Sequence, residues 1–173
     1  MLPMRGSFLL TLIPLPILLF TIVGCTGGSG NKVDLSAGKP ELRALHLKGH
    51  ALSSQHRFED AEIELTNLIS KAPNSFVPLF NLGVAQLNQA EKGVDKAIVN
   101  FEKARSLRPD HPGVPYNLGI IRRFKGEEEA ALVEFRKALE LAPRDSDCHY
   151  QVAIGLLRTG QQELALPHFE MAV

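Results

Sequence analysis

The sequence lacks any excess of charge: over 173 residues, 19 Lys and Arg are balanced by 19 Asp and Glu. Binding to a phosphate backbone needs Lys and Arg in clustered surplus, so no nucleic-acid partner is expected. Cysteine is scarce as well. Cys25 and Cys148 are the only two, too few for a disulfide framework. The chain also has no Gly-rich phosphate loop, no nucleophile elbow and no metal-ligand signature. Those gaps lead to an expectation of no catalytic residues, no cofactor, no metal and no enzyme. With 22% charged and 45% hydrophobic residues, the composition is nevertheless that of a folded chain. Its length allows about one domain.

The apolar residues are spread unevenly. Residues 1–24 contain 15 of them, no acid, and Arg5 as the sole charge. Phe8 to Val23 runs for 16 residues without a charge, broken by Pro14 and Pro16. A bilayer-spanning helix needs about 20 apolar residues, whereas one early basic residue before a shorter apolar stretch fits an export signal. The stretch ends in Ile22-Val23-Gly24-Cys25, which resembles the lipobox of bacterial lipoproteins. That resemblance implies a signal peptide over 1–24, cut before Cys25, with lipid attached at Cys25 (palmitate and companion acyl chains). An ordinary signal peptide containing a Cys is the alternative. Several acyl chains anchor firmly where one is marginal, so a membrane partner through the lipid is expected. Thr26 stands where an Asp commonly marks inner-membrane retention in such lipoproteins, which points to the outer membrane, facing the periplasm. Residues 25–41 then comprise the lipidated Cys and a Gly- and Ser-rich flexible linker.

The remainder repeats. Gly49, Gly83, Gly119 and Ala153 are 34, 36 and 34 residues apart. Ala61, Ala97, Ala131 and Ala165 keep nearly the same intervals, and Leu65, Phe101, Phe135 and Phe169 each follow four residues later. Pro73, Pro109 and Pro143 close the first three units. A fixed period of this length signals a stacked repeat architecture. The pattern resembles the tetratricopeptide repeat, a helix–turn–helix with small residues at positions 8, 20 and 27, an aromatic at 24 and Pro at 32. The resemblance implies an all-α, right-handed superhelical solenoid of TPR hairpins, with units 42–75, 76–111, 112–145 and 146–173, the last incomplete. Small residues where paired helices cross allow close approach, and Pro ends each second helix by removing a donor. Gly126 and Gly160 fall in turns, where a residue without Cβ costs little. Two extra residues in the second unit are placed in its turn, near Gly93.

Function has to come from a site. In this family the first helices line a concave face through positions 2, 5, 6, 9, 12 and 13. Those positions here include Phe80, Asn81, Val84, Tyr116, Asn117, Ile120, Phe124, Tyr150 and Ile154. They read as an apolar groove for a peptide or amphipathic helix, with Asn81, Asn117 and Gln151 as amides able to bind a ligand backbone. Packing within the solenoid is the competing reading. The basic clamp by which some relatives hold a C-terminal carboxylate is missing, because His46, His50, Gly113 and Asn117 occupy its places. His46 and His50 read as a solvated pair, Cys148 as an inert thiol, and Glu127, Glu128 and Glu129 as helix-dipole partners.

Val173 falls at position 28 of the last unit, with no polar capping helix after it, though solenoids ordinarily need one. Either the chain continues into something longer or that end docks on a partner or a second copy. The expected function is a lipid-anchored scaffold binding another envelope protein, with pilotins of type IV pilus biogenesis as the nearest analogy and assembly of a pilus or secretion complex as the setting. The alternatives are the recognition arm of a truncated larger enzyme, such as a glycosyltransferase, and an adaptor for an envelope protease or cell-wall enzyme.

Overall fold

A computed structural model describes residues 40–173. The expected signal peptide, the lipid site at Cys25 and nearly all of the linker lie outside the described residues. Among those described, eight α-helices occur and no strand: α1 (Pro40–Ser54), α2 (Phe58–Lys71), α3 (Phe76–Leu87), α4 (Glu91–Leu107), α5 (Gly113–Phe124), α6 (Glu128–Leu141), α7 (Ser146–Arg158) and α8 (Gln162–Met171). None is long and apolar enough to cross a membrane. They pair in order as four antiparallel hairpins, each also packing on the next.

The glycine column explains how the helices of a hairpin come so close. A Cβ added at Gly49 would sit 2.8 Å from Leu65 Cγ, one at Gly83 2.9 Å from the Phe101 ring, and one at Gly119 2.7 Å from the Phe135 ring. The repeated aromatic thus fills the place left by a missing side chain on its own partner helix. Phe101 and Phe135 are wholly buried as a result. Phe101 also joins Phe76, Leu79, Val114, Leu118 and Ile121 in a core that runs from the second hairpin into the third. In the fourth unit the column holds Ala153, and Phe169 is only half-buried.

A second column lies in the turns. His56, Ala90, Gly126 and Gly160 have φ of 58°, 55°, 77° and 78°, each seven residues after the small residue at position 8. Gly126 and Gly160 take this conformation without a Cβ penalty, while His56 and Ala90 take it with one. Ala90 adds ψ of −141°, a region that is essentially the preserve of glycine.

The two extra residues of the second unit do not lie in the turn. Gly93 is inside α4 and buried, and the additional length makes α4 17 residues against 14 in α2 and α6. The reason is a backbone contact. A Cβ on Gly93 would lie 1.9 Å from the Gln86 carbonyl oxygen, so the lengthened first turn of α4 is pressed onto the end of α3. A glycine that reads as a turn signal is here a close-packing glycine. The backbone of α4 meets that of α5 over a shorter stretch than α2 meets α3 or α6 meets α7.

These two positions give opposite expectations. Ala90→Gly should raise unfolding free energy by about 1 kcal/mol through relief of the positive φ. Gly93→Ala should lower it by about 2 kcal/mol or more, because a carbonyl must move. Urea unfolding of the two variants checks both, and matching shifts of the same sign would contradict this account.

Candidate functional site

The first helices of the first three hairpins neighbour one another. Helix α3 lies against both α1 and α5, while α2, α4 and α6 make no comparable approach to one another. The residues expected to line the groove differ in what they do. Phe80 stacks on Phe76 at 5.6 Å, meets Phe101 edge-on at 5.6 Å and touches the His111 ring at 5.2 Å. Val84 packs on the same core. Tyr116 lies edge-on to Phe135 at 5.8 Å, and Ile120 is also half-buried against the core around it. These four form the floor and owe much of their burial to the solenoid. Asn81 and Ile154 are half-buried beside them. Phe124 at 52% and Tyr150 at 49% are open to solvent, as is Leu157 at 41%.

Two of the three amides in the row are already engaged. Asn117 Nδ2 donates to the Gly113 carbonyl at 2.7 Å, within its own helix. Gln151 is buried; its Nε2 donates to Tyr116 Oη at 3.4 Å and its Oε1 accepts from Arg123. Only Asn81 stays without such an assignment. Burial pushes the Tyr116 phenol up to about 12, against the opposing effect of the Gln151 amide. It is therefore a neutral hydroxyl at any physiological pH.

Glu128 corrects the reading of Glu127, Glu128 and Glu129 as simple helix-dipole partners. It is buried, with Arg123 Nε 3.0 Å from Oε1 and Arg158 Nε 2.8 Å from Oε2, the latter an ion pair without hydrogen-bond alignment. Arg123 further donates to the Gln151 carbonyl oxygen at 3.1 Å and lies 4.7 Å over the Phe135 ring. One carboxylate thus ties the third hairpin to the fourth. The surplus cation belongs to Arg158, whose side chain is 57% exposed. Sequence reasoning missed this cluster because a run of glutamates at a helix start has a sufficient local explanation. The available signal was Arg123 and Arg158, on successive first helices near the same turn.

The histidines of α1 also differ from expectation. His50 is exposed, but His46 is half-buried, with Nδ1 lacking a partner. Burial, then the neighbouring His50, lowers its pKa. Cys148 is fully buried beside the Asp145 cap, whose carboxylate accepts from the Cys148 backbone N–H at 2.8 Å. On α8, Leu164, Leu166 and Met171 are exposed, the surface on which the expected self-association would rest.

Removing Glu128 would leave the half-buried Arg123 guanidinium without its carboxylate. Glu128→Ala is expected to cost about 3 kcal/mol of stability, and Arg158→Ala, which removes an exposed side chain and leaves Glu128 paired with Arg123, about 1 kcal/mol. Denaturant unfolding measures the difference; equal small losses would show that Glu128 carries no such role.

Residues 116–145, spanning most of α5 and all of α6, match the family model described as tetratricopeptide repeat. No curated protein matches the sequence. Among solved structures, one of MamA superposes with a TM-score of 0.70 at 20% identity, covering 80% of each chain. MamA from Desulfovibrio magneticus RS-1, residue 41 onward, gives 0.69 at 20% identity over 80% of this chain and 77% of that one. MamA of MSR-1 gives 0.62 at 26% identity over 76% and 74%. Together with the eight paired helices, these likenesses make the fold an all-α solenoid of tetratricopeptide-repeat hairpins.

Proposed function

We propose that the protein is a lipid-anchored, non-enzymatic scaffold that holds another envelope protein in its concave groove, on the outer membrane and facing the periplasm. Assembly of a pilus or secretion complex is the setting in which we place it. The observation that carries the groove is the set of solvent-exposed side chains Phe124, Tyr150 and Leu157 on α5 and α7. Rigid aromatic side chains with one open face are the usual anchors of protein interfaces. Beside them, half-buried Tyr116, Ile120 and Ile154 give an apolar floor of the kind an amphipathic helix occupies. Arg158 at the edge favours an acidic residue in that ligand. The anchor rests on Ile22-Val23-Gly24-Cys25 and the apolar stretch before it.

The groove is tested with a Phe124→Ser, Tyr150→Ser double variant. Both positions are exposed, so the fold should persist by circular dichroism while affinity for the envelope partner that co-purifies with the wild type falls at least tenfold. Unchanged capture of that partner would exclude the groove as its site. The anchor is tested separately by metabolic labelling with a palmitate analogue. Label is expected in the wild type and lost in Cys25→Ala; equal labelling of both would exclude lipidation there.

A further inference from the structure

Away from the groove, two histidines face each other across the last hairpin. His149 on α7 is buried and His168 on α8 is half-buried. Their Nδ1 atoms are 3.0 Å apart, with ring centroids at 5.2 Å and planes inclined by 39°. The other ring nitrogen of His149, Nε2, lies 3.1 Å from the Pro143 carbonyl oxygen. A carbonyl can only accept, so His149 carries its proton on Nε2 and turns a bare lone pair towards His168. This is how proteins orient a metal-binding imidazole: the remote N–H is held by a backbone carbonyl and the near nitrogen is left to bind.

We infer that His149 and His168 form a two-imidazole site for a divalent transition-metal ion of the copper or nickel type. The ion displaces the proton now shared between the rings and sits beside the line joining the two Nδ1 atoms, each ring turning to aim its lone pair at it. His168 keeps that proton by moving it from Nδ1 to Nε2, so both rings stay neutral and each offers a lone pair. Burial, then His149, then Arg136 lower the pKa of His168, which holds it in the neutral form that binding needs. The spacing favours the ion type. With an imidazole–metal distance of about 2.0–2.1 Å, nitrogens 3.0 Å apart subtend roughly 94° at the ion. That is close to the right angle of tetragonal copper and nickel sites and short of the tetrahedral angle of structural zinc.

Among the described residues no third His, Cys, Asp or Glu joins the pair, so water completes the coordination sphere. The Arg136 guanidinium opposes the ion, which keeps affinity modest. The consequence is a cross-link from α7 to α8, a helix of ten residues with Pro167 inside it and Ala165 as its buried residue.

The test uses the untagged full chain carrying Cys25→Ser, which removes a competing thiol. Cu²⁺ is titrated while electron paramagnetic resonance and thermal unfolding are followed. One equivalent should bind with nitrogen hyperfine coupling and raise Tm; His168→Gln should abolish both with helix content unchanged. His50→Gln, which breaks the other closely spaced pair, should leave both intact. A second measurement needs no histidine variant: substoichiometric Cu²⁺ should broaden the ring resonances of His149 and His168 before those of other histidines. Absence of binding, survival of binding in His168→Gln, loss in His50→Gln, or earlier broadening elsewhere would each overturn the site. None of these outcomes bears on the groove.

Discussion

The first three hairpins are each built around a side chain that is not there. Gly49, Gly83 and Gly119 leave a notch on the first helix, and Leu65, Phe101 and Phe135 from the second helix fill it. Interiors pack at crystal-like density, so this fit sets how closely the two helices run and which faces turn outward. It also sets what the first helices present on their inner side, because the buried ring beneath supports the floor: Phe101 under Phe80, Phe135 under Tyr116. The fourth hairpin substitutes Ala153 for the notch, and its aromatic, Phe169, stays half-buried. That hairpin also holds the shortest helix.

Much of this was legible in the sequence, because a repeat states its packing several times over. Four small residues and four larger ones at fixed offsets leave few folds that satisfy them all, and the all-α solenoid follows. Gly126 and Gly160 were readable as turn residues, since no side chain competes there. Gly93 was misread because glycine marks both a turn and a close approach, and only the Gln86 carbonyl 1.9 Å from its absent Cβ tells them apart. Turn strain at Ala90 was invisible, as no residue type announces a forced φ.

The site was legible in outline only. Position within the repeat told which side chains face inward but not how far each is spent on the fold. Phe80 and Tyr116 are held by buried rings, whereas Phe124 and Tyr150 are open to solvent, Tyr150 with one edge on the half-buried Phe169 ring. Gln151 shows the limit most clearly. Its register matches Asn81 and Asn117, yet Arg123 and Tyr116 occupy its amide. Polar pairings between hairpins depend on which rotamers reach across a gap of one repeat, and a period in sequence carries no such information. The same holds for Glu128, and, within a single hairpin, for His149 and His168, which lie 19 residues apart.

The added turn of α4 has a mechanical meaning. A solenoid transmits force from repeat to repeat through nearest-neighbour interfaces alone, so its stiffness is that of springs in series and the softest joint governs. At the joint between α4 and α5 the longer helix meets its neighbour over less backbone, and the buried side chains of Phe101, Val114, Leu118 and Ile121 carry the contact instead. Phe80 and Val84 stand on one side of it, Phe124 and Tyr150 on the other. The span between them is therefore set by how large side chains pack across that joint, and a change of their volume would alter the width of the concave face.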